Sequence, residues 1–211
     1  MDLTEATLER ASLYGLFAKA FAYPNEETLS AIRSSTKIVS DVLSATKFKK
    51  DLRKEALEFA KIASLTSLQE LHNNYSRLFV GRRHCNLEES EYDKAVFNRY
   101  HRLADVAGFY RAFGFEVSEG SHQRADFIGT ELEFMQVLML KRLYADHQGW
   151  SAKAEVCLST ERNFIKEHLE WWVPLLCEKM QADSECPFYS SLSNFLDFFV
   201  RGEASRCLQP A

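Results

Sequence analysis

Glycine and proline are scarce in this chain, eight and four among 211 residues. Few turn-formers argue against a fold of many short strands joined by tight hairpins. No uninterrupted apolar run approaches the ~18–20 residues of a membrane-spanning helix, so stable membrane insertion is not expected. No CxxC occurs, and the five cysteines (Cys85, Cys157, Cys177, Cys186, Cys207) are odd in number and irregularly spaced. That usage speaks against a disulfide framework and fits a reducing compartment. Basic residues are not in excess: the net charge is −4, too acidic to favour phosphate neutralisation and nucleic-acid binding. The same charge suits an ordinary acidic surface or a basic peptide partner. The opening Met1-Asp2-Leu3-Thr4-Glu5 lacks a basic start and reads as neither signal nor transit peptide. A cytoplasmic location is therefore expected.

Catalytic signatures are also missing. There is no GxSxG, no Walker A loop, no GxGxxG after a strand and no HExxH. None of the six histidines pairs with another at i+3 or i+4. His84 beside Cys85 falls short of the four ligands of a structural zinc site. No Glu-x-x-His pairs recur as a di-metal bundle requires. The expectation is no catalytic residue, no metal and no cofactor.

What is present is helical spacing. Leu13, Leu16, Phe17, Ala20 and Phe21 follow a helix that Pro24 should stop. Two short helices are predicted near 26–34 and 36–45, then others near 48–63 and 66–79. A long polar loop covers 80–92, a helix spans 93–115, and a second polar loop at 116–125 contains Ser118, Gly120 and Ser121. Helices near 126–147, 150–170 and 171–182 follow, with a last one from about Pro187 capped by Ser184. Sixteen Phe, eight Tyr and three Trp supply bulk for a core. The prediction is an all-α bundle of about eight to ten helices, one domain over 1–211.

The segment from Asp126 to Leu140 is apolar almost all round, the pattern of a buried helix. Glu131 falls among its apolar residues, and a buried carboxylate needs a partner. The candidate donor is Arg142 or a basic group from another helix; the alternative is an acceptor for a partner's guanidinium. Glu133 points elsewhere, to the surface. Asp126, at the loop-to-helix junction, fits either a helix cap or an anionic peptide contact. Met135 and Met139 fit the core, or an adaptable binding surface.

Several stretches, in order, resemble the TorD/DmsD/NarJ-type redox-enzyme maturation chaperones, closest to the TorD-like branch. They are Arg10 and Tyr14 with Phe21-Ala22-Tyr23-Pro24, then Tyr75-Ser76-Arg77-Leu78-Phe79-Val80-Gly81, and Glu89-Ser90-Glu91-Tyr92. Further on come the run from Ala104 to Phe115, Glu131-Leu132-Glu133-Phe134-Met135, His168-Leu169 with Trp172, and Pro187-Phe188-Tyr189. The family often carries Glu-Pro-Asp-His before its central helix. Here Arg124-Ala125-Asp126-Phe127 stands there, and Asn86, Leu87 and Glu88 replace loop prolines.

The resemblance implies a helical chaperone for the catalytic subunit of a molybdopterin-containing oxidoreductase. It would bind that subunit's twin-arginine signal peptide, its body, or both, and hold it until the cofactor is inserted. Tyr75, Asp126 and Phe127 match positions implicated in signal-peptide recognition. Glu89, Tyr92 and Glu131 join them on charge and position, since paired guanidinium groups call for carboxylates beside aromatic surface. The chaperone would be a monomer or a dimer. An assembly factor of the nitrate-reductase delta type, serving an enzyme that is not exported, is the alternative. A nucleotide hydrolase is disfavoured by the absent phosphate loop.

Overall fold

Pro24 stops the first helix as expected: α1 (Leu3–Phe21) ends just before it. The computed structural model describes residues 3–45, 50–80, 85–118, 123–182 and 185–208. Among these residues the chain forms nine α-helices and no strand, only an isolated antiparallel bridge between Glu88 and Phe127. The all-α prediction holds. His84, Gly120, Ser121 and Ser184 lie outside the described residues.

α2 (Glu26–Ala45) is one helix, not the two predicted. The Ser34-Ser35-Thr36 triplet contains no helix breaker, and Thr36 folds its hydroxyl back onto the Arg33 carbonyl at 2.8 Å. α3 (Lys50–Leu65) precedes α4 (Leu68–Phe79), whose start is fixed by a capping box between Ser67 and Glu70. α5 (Val96–Ala112) is shorter than its predicted span. Gly114, at φ 60°, takes the left-handed conformation that closes it, and the Phe115 N–H reaches back to the Tyr110 carbonyl at 2.9 Å.

α6 (Ile128–His147) leads to α7 (Ser151–Phe164) and α8 (Glu170–Gln181). The predicted break near residue 170 is absent. Ile165–Leu169 instead forms a π-helical turn, so the chain stays helical from α7 into α8. α9 (Pro187–Cys207) starts with Pro187 in its first turn and Cys186 at the cap position.

α6 is the central element, packed along α1 and against α7, while α9 packs against α3 and α8. Ten α6 side chains are buried, Met135 and Met139 among them with no exposure. Both methionines are therefore core residues; the alternative of a binding surface is overturned by their burial. Rings dominate the α1–α9 seam, where Phe17 lies 4.7 Å from Phe195 and Tyr14 lies 4.8 Å from Phe199, centroid to centroid. Each such fully buried ring contributes roughly 1.5–3 kcal/mol of burial energy.

Candidate functional site

Two loops meet at the N-terminus of α6. The Glu89 N–H donates to the Asp126 carbonyl at 2.9 Å, and the Ile128 N–H donates to the Leu87 carbonyl at 2.8 Å. This pairing sets a single 3-10 turn, Glu89–Tyr92, beside the helix start. The Asp126 carboxylate accepts from the Ser90 N–H at 3.1 Å. It does not cap α6, whose cap residue is Phe127 without a side-chain bond. The capping role considered for Asp126 is thus replaced by a tether on the neighbouring turn.

Glu89, Asp126 and Glu131 are all fully buried. Glu89 accepts from the Trp171 indole at 2.7 Å, from His168 Nδ1 at 3.0 Å and from Arg102 at 3.3 Å. Among the described residues, Glu131 accepts from the Trp172 indole alone, at 3.3 Å. Arg142, its expected partner, lies against Glu161 and Asp146 instead. Burial raises the Glu131 carboxyl well above the usual carboxylate range, and the Glu89 and Asp126 charges raise it further. Glu133 is exposed, as expected.

The rim of this cluster is cationic. Arg124, itself partly exposed, places Nε 3.1 Å from Asp126 Oδ1 and donates to Ser90 Oγ at 2.7 Å and to Glu91 at 3.4 Å. Arg102 lies over the Trp171 ring at 4.0 Å and pairs with Asp93 at 2.8 Å. Tyr92 donates to the Asn86 carbonyl at 3.0 Å and packs on Trp172, with Lys179 above its ring. Phe127 folds over Gly129, where a Cβ would meet its ring at 2.5 Å, so glycine is required there.

Five of the six residues singled out from sequence therefore meet around this loop junction. Tyr75 does not; it belongs to a ring cluster with Tyr23, Phe79 and Tyr189. Sequence reasoning missed Arg102, Arg124, Trp171 and the role of His168. Trp171 next to Trp172 was the available signal: two adjacent indole donors, one buried and one partly buried, need acceptors.

A separate groove of about 720 Å³ lies between α6 and α7, near the end of α5. Phe113, Val137, Leu140, Tyr144 and Trp150 line it, with Lys141 and Lys153 at its edge. No described helix is long and apolar enough to cross a membrane.

A helical bundle is also the architecture of a solved structure described as a putative redox enzyme maturation protein from Archaeoglobus fulgidus. The two share that fold at TM-score 0.53 over 94% of each chain, with 17% identity. Residues 45–178 match the family model described as nitrate reductase delta subunit, and the chain belongs to that family. It is similar to a perchlorate reductase assembly chaperone protein from Dechloromonas aromatica (strain RCB), 30% identical over 49% of this chain and 45% of that one. It is also similar to a selenate reductase assembly chaperone protein from Thauera selenatis, 29% identical over 49% of this chain and 52% of that one. The chain thus aligns with about half the length of these curated relatives.

Proposed function

We propose that this protein is an assembly chaperone, not an enzyme. It acts in the cytoplasm on the catalytic subunit of a molybdopterin-dependent oxidoreductase, binding the unfinished subunit through its twin-arginine signal peptide, its body, or both. The observation that carries the reading is the family match over 45–178, which spans α3 to most of α8 and so includes the whole acidic junction. The names of the two chaperone relatives support it.

Charge directs where a leader peptide sits. The apolar groove is edged by Lys141 and Lys153 and repels guanidinium groups. Asp126, with Glu91 beside it, already holds one guanidinium, that of Arg124. A leader arginine takes the place of Arg124 there, exchanging one charge-assisted pair for another. Glu89 and Glu131 frame the position from behind, Tyr92 and Phe127 flank it, and Tyr75 offers a separate aromatic contact. Calorimetry with a synthetic peptide carrying the paired arginines tests this. Arg124→Ala should tighten binding, while Asp126→Asn and Asp126→Lys should weaken it, the lysine more. Unchanged affinity in folded Asp126 variants would remove the site; failure of a maturing catalytic subunit to co-purify from the native cell would remove the function.

The alternative is an assembly factor of the nitrate-reductase delta type, after which the matched family is described, serving an enzyme that is not exported. A client sequence with or without an RRxFxK leader separates the two. Measurable GTP turnover by the purified chain would instead support the hydrolase alternative.

A further inference from the structure

His168 sits in the π-helical turn with 1% exposure, yet its Nε2 atom has no hydrogen-bond partner among the described residues. Its other nitrogen is committed: Nδ1 donates to the buried Glu89 carboxylate at 3.0 Å. In the neutral ring this leaves the Nε2 lone pair pointing outward. It faces two carboxylates, since ligand atoms of His168, Asp105 and Glu167 all lie within 4.8 Å of one another. Asp105 Oδ2 is 3.4 Å from Nε2 without hydrogen-bond alignment. Three electron-pair donors thus converge with no donor hydrogen among them.

We propose that His168, Asp105 and Glu167 bind a divalent first-row transition cation, with zinc as the defining probe. Two ligands at ~2.1 Å from a tetrahedral zinc are about 3.4 Å apart, the spacing His168 and Asp105 already have. Glu167 is exposed and free to rotate the remaining distance; water completes the coordination. Glu89 is the outer carboxylate that fixes ring orientation and raises the basicity of Nε2, as outer carboxylates do for metal-bound histidines. Arg102 is the nearby opposing charge, and its guanidinium is shared between Glu89 and Asp93. The bound ion would clamp α5 to the α7–α8 junction. Asp105 and His168 are 63 positions apart, so no local spacing announces the cluster. The site shares Glu89 with the proposed peptide site but does not rest on the chaperone reading.

The test is a zinc titration of the chelator-stripped full chain by calorimetry, paired with thermal melting. The expected result is saturable binding of one zinc per chain and a melting temperature that rises with zinc concentration. Asp105→Asn and Glu167→Gln, both at exposed positions that spare the fold, should abolish the rise together and each weaken binding. Glu89→Gln should weaken it roughly 10–100-fold, and His147→Gln, outside the cluster, should not. His168→Gln should lose binding, but if it fails to fold the two exposed positions decide. Absence of saturable binding, or equal affinity in the Asp105→Asn/Glu167→Gln double variant, overturns the proposal.

Discussion

Two groups of buried carboxylates lie in this bundle, and they are balanced in opposite ways. In one, Glu161 and Glu203 are surrounded by Arg10, Arg206 and Arg142. Arg10 grips Glu203 with two bonds from Nε at 2.8 and 2.9 Å, and Tyr14 adds its hydroxyl at 3.1 Å. Burial works to raise the Glu203 carboxyl, but Arg10 and Arg206 overcome it and hold the group below its usual range. In the other, Glu89, Asp126 and Glu131 share two indoles, a histidine and two rim arginines, and burial together with the Glu89 and Asp126 charges raises the Glu131 carboxyl. The first group locks α1 to α7 and α9. The second keeps unspent acceptor capacity beside exposed cations, the condition of a place that exchanges partners.

Removing one member of the locked group should therefore have the largest effect. Glu203→Ala leaves Arg10 buried against Glu161 alone and should cost about 3–5 kcal/mol in urea unfolding. A loss under ~1 kcal/mol would erase the distinction between the groups. Next in size, Glu131→Ala should lower the melting temperature by an amount equivalent to about 1–3 kcal/mol, whereas exposed Glu133→Ala should stay within roughly 0.5 kcal/mol. The reverse order would contradict the burial of Glu131.

A pH series sharpens the contrast further, because the two groups slope oppositely. The folded Glu203 value is depressed, so its contribution is present above the ordinary glutamate range and disappears as acid takes the pH through that folded value. The folded Glu131 value is raised, so its contribution is complete below about 4.3 and is lost as pH climbs through the folded value. Glu131→Gln, which imitates the protonated form, should flatten the alkaline side of the stability profile and leave the acid side alone. A profile identical to that of the parent chain would show that the Glu131 carboxyl titrates alike in the folded and unfolded chain.

The helical class and most helix boundaries were legible because spacing and a few breakers determine them: Pro24, Gly114 and Pro187 each act at the expected place. The break expected inside α2 does not occur, because no helix breaker stands there and Thr36 bonds within the helix. Glu131 was recognisable as buried from its apolar neighbours, but its partner was not. Trp172 is 41 positions away, and the natural candidate on the same helix, Arg142, is taken by Glu161. Arg124 was noticed as a departure from the family pattern; only the folded chain shows it lying on Asp126.

The π turn at Ile165–Leu169 works as a phase shifter. One surplus residue in the winding rotates everything downstream, which sends the neighbouring indoles of Trp171 and Trp172 to two different acids, Glu89 and Glu131. No side-chain exchange can undo a change of register; only a change in length can. Excising a single residue from this turn would leave a smoother helix whose tryptophans no longer meet their acceptors.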